Sequence, residues 1–368
     1  MYYNPLGKTG KDVSAISLGG MRYLPEEYKD GPEKCAEIVL RAMELGINLF
    51  DTAPGYSNDM SEDILGCALR QVKEKPYVST KCGLWMATTA QGAYDSVRRS
   101  IDRIGVDQIT FYHLWCARTL ADYAQMIAPG GIYEGLLRAK EEGLIAHICL
   151  STHMDGGEIE QIVHDGRFES VILGYNAVNF AFRQQGVKAC YDAGLGVMAM
   201  NPLGGGIIPQ YGEAFSFLKS APDETIVQAS LRFLLGQKEI SCALPGVGTI
   251  AELEECVSAA DQRFELEEAY FDKLKARFQL ELNTLCTSCG YCMPCPVGVP
   301  IVQLLAAYNN LLITGDRPGL ITFIAGHWPI DIAEAGNCIA CGACEKLCTQ
   351  KLPIMERLQD IADLAQGR

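Results

Sequence analysis

Eight of the sixteen cysteines of this chain fall in two short runs in its last quarter. The runs read Cys286-x2-Cys289-x2-Cys292-x2-Cys295-Pro296 and Cys338-x2-Cys341-x2-Cys344-x3-Cys348. This is the spacing of two cubane iron–sulfur clusters, in which the first three thiolates of each run hold one cluster and the fourth reaches across to the other. It predicts cluster 1 on Cys286, Cys289, Cys292 and Cys348, and cluster 2 on Cys338, Cys341, Cys344 and Cys295. We therefore expect two [4Fe–4S] clusters and an electron-transfer protein.

Two other uses of clustered cysteines explain these runs less well. A zinc ribbon needs only two Cys-x2-Cys pairs and would leave half of the thiols unused, and disulfides need an oxidising compartment. One position departs from the common cluster pattern, because Thr349 follows Cys348 where proline is usual.

Length and composition favour two domains in a reducing compartment. With 368 residues, of which 48 % are hydrophobic, the chain has enough apolar material for one large core and a smaller second one. The first residues lack a basic and then apolar leader, and no uncharged apolar run is long enough to span a bilayer, so we expect a cytoplasmic protein. Its formal charge of −14 argues against nucleic acids and membranes as partners, because both demand a basic face.

Short apolar or β-branched runs recur eight times before the cysteine runs begin. They cover residues 15–18, 47–50, 77–80, 109–115, 147–150, 171–173, 196–200 and 241–244. Between them lie stretches with helical spacing of apolar residues, followed by glycine-containing turns. Eight strand–helix units predict an α/β fold, a (β/α)8 TIM barrel, whose active site lies at the carboxyl ends of the strands. The polar and aromatic residues expected around that mouth are Asp51, Lys81, His113, Trp115, Ser151, His153, Asn176 and Asn201.

The order of these signals predicts the domain organisation. The barrel is expected over residues 1–262, a linker helix over 263–284 and a small helical cluster-binding domain over 285–368. The linker helix carries an apolar stripe of Phe271, Leu274, Phe278 and Leu282. Two further helices are predicted at 301–312 and 318–325.

Several motifs, in order along the chain, resemble those of the aldo/keto reductase family. They are Leu6-Gly-Lys-Thr-Gly10, Gly46-Ile-Asn-Leu-Phe-Asp-Thr-Ala53, Tyr56 with Ser61-Glu62, Ser79-Thr-Lys81 and Asn201-Pro-Leu-Gly-Gly-Gly206. The resemblance spans residues 1 to roughly 262. The run Cys289-Gly-Tyr-Cys292-Met-Pro-Cys295-Pro resembles the ferredoxin-like extension that one bacterial branch of the family carries. The resemblance implies an oxidoreductase that moves a proton while a nicotinamide moves a hydride.

The resemblance implies a catalytic tetrad of Asp, Tyr, Lys and His, and three members map onto Asp51, Tyr56 and Lys81. Tyr56 would exchange a proton with the oxygen of a carbonyl or alcohol substrate. Because an unperturbed phenol has a pKa of about 10, Lys81 is expected to lower it and Asp51 to hold the ammonium in place. The alternative is a buried Asp51–Lys81 pair with Tyr56 merely packing beside it.

The fourth member departs from the family pattern. The family's histidine position falls on Trp115, whereas His113 lies two residues earlier. Strand alternation puts both residues on one face, so His113 would point into the barrel about 6–7 Å deeper than the usual histidine. Two interpretations stay open: a catalytic His113 for a differently placed substrate, or a core histidine with a hydrogen-bonded nitrogen. Trp115 cannot exchange a proton and is predicted, with Trp85, to line the substrate pocket.

The resemblance also implies a nicotinamide site, with some departures. It assigns cofactor contacts to Ser151, Asn176, Met200, Asn201, Leu203 and Gly204. Met200 stands where the family usually has an aromatic residue, and Ile172 where it usually has glutamine. The glycines at 204–206 would let backbone N–H groups approach a pyrophosphate, or they simply form a turn.

The segment after the eighth strand bears on the choice of nucleotide. In the family this segment, which begins here at Gly246, clamps the adenosine end of the cofactor, and basic residues in the following helix bind a 2′-phosphate. Residues 245–256 contain no Lys or Arg, and Glu252 stands where an arginine would meet that phosphate. A carboxylate repels phosphate and accepts a ribose hydroxyl, so NAD is favoured over NADP.

Three functions are consistent with the sequence. The first is an iron–sulfur oxidoreductase that interconverts a carbonyl and an alcohol, with clusters that relay electrons to or from an external carrier. The second is a nicotinamide-independent reductase fed by ferredoxin or flavodoxin, and the third is a non-enzymatic redox-sensing subunit. Coupling hydride to single-electron transfer usually needs a flavin, and no flavin motif is evident in the sequence.

Overall fold

The computed structural model describes residues 1–263, 265–277, 284–327 and 330–367, which fall into two compact units. The first unit comprises Met1–Leu203 and Ser216–Tyr270, and the second comprises Gly204–Phe215 and Phe271–Arg368. The segment 204–215 therefore belongs with the carboxyl-terminal unit, which the sequence did not predict. The predicted domain limits at residues 262 and 285 stay a prediction. Phe278 and Leu282 of the predicted linker stripe lie outside the described residues.

The first unit is a barrel of eight parallel strands preceded by a hairpin. The strands are β1 (Tyr3–Pro5) and β2 (Asp12–Ser14) in the hairpin, then β3 (Leu18–Gly19), β4 (Leu49–Asp51), β5 (Tyr77–Cys82), β6 (Ile109–Ala117), β7 (Ile145–Thr152), β8 (Ser170–Gly174), β9 (Gly196–Met200) and β10 (Cys242–Leu244). Strands β3 to β10 pair in sequence order. Bridges between Ile16 and Ala243 and between Gly19 and Gly246 join the first strand to the last. The predicted (β/α)8 TIM barrel is thus confirmed.

Helices follow most of the barrel strands and continue into the second unit. They are α1 (Pro25–Tyr28), α2 (Glu33–Glu44), α3 (Ser61–Leu69), α4 (Ala90–Ile104), α5 (Leu120–Ile127), α6 (Ile132–Glu141), α7 (Gly156–Ile162), α8 (Phe180–Asp192), α9 (Ile207–Gln210), α10 (Ile226–Leu235), α11 (Ile250–Ser258), α12 (Glu268–Arg277), α13 (Ile301–Thr314), α14 (Gly319–His327), α15 (Ala343–Leu347) and α16 (Ile354–Ala365). Short 3-10 turns span Val163–Asp165, Gly204–Gly206, Ser216–Leu218 and Ile332–Asn337.

Each unit has its own apolar core. The barrel interior packs side chains from the hairpin and from alternate strand positions: Leu6, Val13, Leu49, Phe111, Cys149, Ile172, Met198, Cys242 and Leu244. In the second unit, α13, α14 and α16 bury Leu304, Leu305, Leu320, Ile324, Leu358 and Ile361 together with Cys286 and Cys344. Burial of such residues contributes about 1.5–3 kcal/mol each. The cluster cysteines are therefore carried on a packed scaffold.

Local sequence signals explain where several barrel helices begin. Thr89 caps α4 by accepting a hydrogen bond from the N–H of Gly92. Thr249 and Glu252 form a capping box at α11, in which each side chain accepts from the backbone of the other. This box matters for the site, because Glu252 is a predicted cofactor residue.

All eight predicted strands are present, with ends shifted by at most three residues. Asp51 and Lys81 lie within the last two residues of β4 and β5 rather than after them. No helix in the part of the chain that the structure describes is long and apolar enough to cross a membrane.

Candidate functional site

A buried ion pair lies at the carboxyl end of two neighbouring strands. Strand β4 pairs with β5, and this brings Asp51 and Lys81 together. Lys81 Nζ donates to Asp51 Oδ1 at 2.7 Å and to Oδ2 at 2.6 Å, and the two side chains are 1 % and 7 % exposed. Burial lowers the pKa of Lys81, and the charge of Asp51 opposes that shift. The carboxylate keeps an ammonium in a place where an unpaired one would be very costly.

Tyr56 lies beside this pair. The Nζ atom of Lys81 is 5.1 Å from the centre of the Tyr56 ring. The pKa of Tyr56 is raised well above 10, first by burial of the hydroxyl and then by the negative charge of Asp51, while Arg22 opposes the shift. Burial is the largest cause of this upward shift, and the expected lowering of the pKa by Lys81 stays a prediction. Tyr56 holds its proton at neutral pH.

The loop that carries Tyr56 has an unusual backbone. Ser57, Asn58 and Asp59 all lie in the left-handed region, with φ of 50°, 52° and 69°. Each such residue costs about 1–2 kcal/mol unless its surroundings compensate. Arg103 supplies compensation: its Nη1 donates to Asp59 Oδ1 at 2.8 Å, and its Nη2 donates to the Asp59 carbonyl and, at 2.6 Å, to Asp63 Oδ2. The arginine on α4 thus fixes the loop that presents the phenol.

His113 lies behind the ion pair and is fully buried. Ser79 Oγ donates to Asp51 Oδ1 at 2.7 Å, and His113 Nε2 is 2.9 Å from the same Oγ. Because the hydroxyl proton goes to the carboxylate, Nε2 is the donor to Ser79. Burial, and then the positive charge of Lys81, lower the pKa of His113 to about 3. His113 is a neutral member of a hydrogen-bond chain that ends at Asp51; its catalytic assignment stays a prediction.

Trp115 occupies the place beside Tyr56. Its ring meets the Tyr56 ring edge-on, with centres 5.5 Å apart, and the Trp85 ring at 4.7 Å. A Cβ on Gly83 would lie 2.5 Å from the Trp85 ring, so only glycine lets Trp85 fold over this position. The register of β6 against β7 shifts between Leu114 and Ala117, and the shared face of His113 and Trp115 stays a prediction. The three aromatic rings form a wall next to the ion pair.

The residues assigned to the nicotinamide end lie on β7 and β9 or just after β8 and β9. Asn176 Oδ1 accepts from the N–H groups of Val178 and Asn179 at 2.9 and 3.1 Å, and its Nδ2 donates to the Asn201 carbonyl at 3.0 Å. One Nδ2 hydrogen remains for a ligand. Ser151 is a buried residue of β7, and Met200 ends β9.

The glycine run after β9 belongs to the second unit, whereas Leu203 is the last residue before it in the first. Gly204, Gly205 and Gly206 have φ of 64°, 74° and 98°, which only glycine adopts without strain. A Cβ on Gly205 would lie 2.2 Å from the carbonyl oxygen of Thr287. The run is therefore needed for close packing next to Cys286, and its predicted approach to a pyrophosphate stays a prediction.

Gly246 and Glu252 have defined structural roles after β10. The side chain of Arg22 packs over Gly246, where a Cβ atom would lie 2.7 Å from Arg22 Cγ. Glu252 Oε2 accepts from the N–H groups of Gly248 and Thr249 at 2.7 and 3.2 Å. The carboxylate is thereby fixed at the start of α11, and Oε1 has no hydrogen-bond partner in the described part of the chain. The preference for NAD over NADP that was inferred from Glu252 stays a prediction.

The eight clustered thiols line two cavities in the second unit. One, of about 310 Å³, is bordered by Cys286, Cys289, Cys292 and Cys348. The other, of about 430 Å³, is bordered by Cys292, Cys295, Cys338, Cys341 and Cys344. The grouping matches the predicted crossed ligand sets except that Cys292 borders both cavities; the ligand assignment itself stays a prediction.

The chemistry of these thiols fits a bound cationic cluster. Burial and then the neighbouring thiolates raise the pKa of Cys286 and of Cys292 to about 12. Iron ions would remove that mutual repulsion and displace the protons. Among the described residues no three His, Cys, Asp or Glu side chains are arranged around a single metal ion.

Two polar residues support the first cavity, and only one of them, Thr349, was singled out from the sequence. Asn309 is buried on α13; its Oδ1 accepts from the Cys286 N–H at 2.8 Å and its Nδ2 donates to the Cys286 carbonyl at 2.7 Å. Thr349 replaces the usual proline, and its Oγ1 is 3.5 Å from Cys289 Sγ. The departure at position 349 thus places a hydroxyl against a cluster thiol.

A comparison with models of known protein families bears on the barrel. Residues 15–276 match the model of the aldo/keto reductase family. This chain belongs to that family. Residues 285–352 match the 4Fe-4S dicluster domain, so this aldo/keto reductase carries an iron–sulfur domain after its barrel. The predicted family and fold are confirmed.

Similar aldo/keto reductases and oxidoreductases come from plants and bacteria. L-galactose dehydrogenase of Arabidopsis thaliana is 29 % identical over 295 residues, which covers 70 % of this chain and 87 % of the plant protein. NADH-specific methylglyoxal reductase of Escherichia coli K12 is 26 % identical over 225 residues, covering 55 % and 68 %. The holo structure of an aldo-keto reductase from Bacillus halodurans superposes with a TM-score of 0.63 at 20 % identity, covering 74 % of this chain and 96 % of that one. A Klebsiella pneumoniae aldo-keto reductase in complex with NADPH gives 0.63 at 18 % identity, covering 75 % and 95 %.

Proposed function

We propose that this aldo/keto reductase interconverts a carbonyl and an alcohol in its barrel, and that its clusters pass single electrons to or from an external carrier. The observation that carries the proposal is the buried Asp51–Lys81 pair 5.1 Å from the ring of a protonated Tyr56. The oxidoreductase names of the similar proteins support the reaction class.

In the reduction direction, Tyr56 gives its proton to the oxygen on which negative charge develops. The ammonium of Lys81 stabilises the phenolate that remains, and Asp51 keeps the ammonium oriented. The neutral His113 and Ser79 hold the carboxylate from behind. A nicotinamide, when bound, supplies or takes up a hydride. The clusters, when present, supply or take up one electron each.

Replacement of Tyr56 by Phe tests this assignment. The probe is methylglyoxal, the small carbonyl compound in the name of the E. coli relative. Tyr56→Phe should lower kcat about 10²–10⁴-fold because the proton donor is lost. Ligand affinity should change little. Lys81→Met should also lower kcat, because the phenolate loses its cation. Wild-type rates in both variants would exclude this barrel chemistry.

NAD(H) is the nicotinamide that the site favours. Two backbone N–H groups fix the Glu252 carboxylate, so it cannot swing away from a 2′-phosphate. A repulsion of about 1.4 kcal/mol costs tenfold in affinity, and NADH should bind at least tenfold more tightly than NADPH. Glu252→Gln keeps a capping residue at this position and removes the charge. It should therefore reduce the difference in affinity between NADH and NADPH without unfolding α11. Tighter NADPH binding to the wild type would contradict this choice.

A reductase fed directly by ferredoxin or flavodoxin, without a nicotinamide, is the second candidate. It is favoured by Asn176, whose amide is largely engaged inside the protein, and by Met200, which offers no aromatic ring. Anaerobic calorimetric titration separates the two candidates. Binding of neither NADH nor NADPH would move this second function to first place.

Exposed apolar side chains at the second cavity bear on where a carrier docks. Cys341 is exposed in its lining, Ile339 and Val297 of the same lining are 62 % and 41 % exposed, and Met293, which precedes the lining residue Pro294, is 37 % exposed. Cys286 at the first cavity is buried. Exposed apolar groups around a redox site are typical of a protein contact. The carrier is therefore proposed to dock on this rim, defined by Met293, Val297 and Ile339, next to cluster 2.

A further inference from the structure

Arg22 is a cation at the barrel mouth that the catalytic assignment leaves unexplained. It follows β3 and is exposed. Lys81 and Arg118, which also lie at the carboxyl ends of strands, pair with Asp51 and Asp122. Arg22 forms no ion pair or hydrogen bond with any residue that the structure describes.

The backbone holds Arg22 between the two loops that flank the mouth. The Gly19 N–H donates to the Pro245 carbonyl at 2.9 Å, which ties the start of the Arg22 loop to the segment after β10. The Arg22 stem crosses Gly246, where a Cβ would lie 2.7 Å from Arg22 Cγ. On the other side, Ser57 Oγ donates to the Gly20 carbonyl at 3.2 Å, which ties the same loop to the Tyr56 loop.

The charge of Arg22 acts on the reacting end of the site. Its positive charge opposes the raised pKa of Tyr56, and the hydrogen bond between Ser57 and Gly20 holds its loop against the loop of Tyr56. The chain as a whole has a formal charge of −14 and repels anions. A ligand anion that enters this mouth therefore needs a local cation without a competing carboxylate.

We propose that Arg22 binds the carboxylate of the substrate, which makes 2-oxo acids and 2-hydroxy acids the preferred substrate class. The inference rests on the proposed carbonyl–alcohol chemistry at Tyr56. A guanidinium binds a carboxylate through two parallel N–H donors, and this fixes the adjoining carbonyl as well as adding affinity. The neighbouring Trp115 and Trp85 rings suit the apolar remainder of such an acid.

The same guanidinium chemistry suits the diphosphate of a nucleotide, so the two sources have to be separated. A carboxylate next to the reacting carbonyl lies close to the proton donor, whereas a nucleotide diphosphate is separated from the nicotinamide by a ribose. The hydrogen bond from Ser57 Oγ to the Gly20 carbonyl joins the Arg22 loop to the loop of the proton donor, and this favours the carboxylate.

Binding of a matched acid and ester tests the proposal without turnover. The probes are phenylglyoxylate and its methyl ester, titrated anaerobically by calorimetry into the cluster-loaded protein without any reductant. The wild type should bind the acid at least about tenfold more tightly than the ester, a normal gain for a charge-assisted pair. Arg22→Met should remove that difference and leave the affinity for the ester unchanged, while Arg22→Lys keeps part of it. Arg98→Met, which removes an exposed arginine from α4, is the matched control and should behave like the wild type.

Two results would overturn the assignment of a carboxylate to Arg22. One is a wild type that binds the acid no more tightly than the ester. The other is an Arg22→Met variant that keeps the preference for the acid but loses affinity for NADH, which would reassign Arg22 to the nucleotide diphosphate. Because no step of this test involves turnover, its outcome is independent of whether Tyr56→Phe abolishes catalysis.

Discussion

Asp51 organises the candidate site at the level of single residues. It accepts hydrogen bonds from Lys81 on the side of Tyr56 and from Ser79 on the side of His113. The ring that meets Tyr56 edge-on belongs to Trp115, the residue predicted to stand at the position of the family's histidine. Proton transfer in the proposed reaction is therefore left to Tyr56.

The titration behaviour of these residues predicts a flat pH profile. The pKa of Tyr56 is raised well above 10, so the phenol stays protonated as the pH rises. The pKa of His113 is lowered to about 3, so its ring stays neutral as the pH falls through the usual histidine range. Carbonyl reduction should vary little between about pH 5.5 and 9, measured as kcat against pH at constant ionic strength. A histidine general acid would instead give a limb near pH 6.5, and that limb would contradict the neutral His113.

The sequence predicts some of these residues and not others, for physical reasons. Asp51 and Lys81 are predictable because the carboxyl ends of parallel strands meet at one mouth. The sharing of Ser79 between Asp51 and His113, and the raised pKa of Tyr56, depend on distances of a few ångströms that spacing does not encode. Glu252 is different, since Thr249-x-x-Glu252 is a visible capping-box signature that would have predicted its role in α11.

Among the structural elements, the Tyr56 loop has an unusual backbone that a distant helix stabilises. Its left-handed residues are compensated from α4, an element almost fifty positions further along the chain, through Arg103 and Asp59. Displacement of a catalytic group by about 1 Å can cost up to about 10² in rate. The loop therefore links local backbone strain to the proton donor.

Replacement of Arg103 by Lys tests this link. Lysine keeps the charge but not the fork that reaches Asp59 and Asp63 together. We expect kcat to fall about tenfold with little change in substrate affinity, and hydrogen exchange to become faster in residues 55–60. Arg138→Lys is the control, because Arg138 pairs with Glu142 at an exposed site. An unchanged kcat together with unchanged exchange would show that the loop holds its shape without Arg103.

The repeating apolar runs predict the barrel strands well, and irregular backbone explains part of what they do not predict. All eight barrel strands follow from apolar runs, and the strand at 196–200 agrees at both ends. The register of β6 against β7 shifts near Cys116, whose φ is 63°. From the sequence, regular alternation of side chains along this strand was assumed, and the shift could not be foreseen. The hairpin of β1 and β2 was missed because its strands, Tyr-Asn-Pro and Asp-Val-Ser, are not apolar runs.

Charge is distributed unevenly over the whole chain. The formal charge is −14, yet neither residues 282–315 nor residues 335–344 contain a charged side chain. The rim of Met293, Val297 and Ile339 lies within these two stretches. Docking there should depend on apolar contact rather than on electrostatic steering.

Replacement of Ile339 by Asp tests the proposed carrier surface. The second-order rate at which reduced ferredoxin or reduced flavodoxin reduces the clusters, followed by stopped flow, should fall about tenfold because a charge enters an apolar contact. The wild-type rate should change little between about 50 and 500 mM salt, since no charges steer the encounter. Ile321→Asp is the control. It alters another exposed isoleucine, 42 % exposed on α14, and should leave the rate unchanged. A steep salt dependence, or equal rates for Ile339→Asp and the wild type, would place docking elsewhere.

The most direct measurement is a count of iron and acid-labile sulfide after anaerobic reconstitution, combined with electron paramagnetic resonance of cysteine variants. We predict about eight iron and eight sulfide per chain, which is two [4Fe–4S] clusters. Cys348→Ser should lose about half of the iron and give the spectrum of Cys286→Ser rather than that of Cys344→Ser, because the fourth thiolate of the second run completes cluster 1. Cys67→Ser, outside both runs, should keep the full content. Zinc in place of iron, a single cluster, or a Cys348→Ser spectrum that matches Cys344→Ser would contradict the two-cluster assignment on which the proposed electron transfer depends.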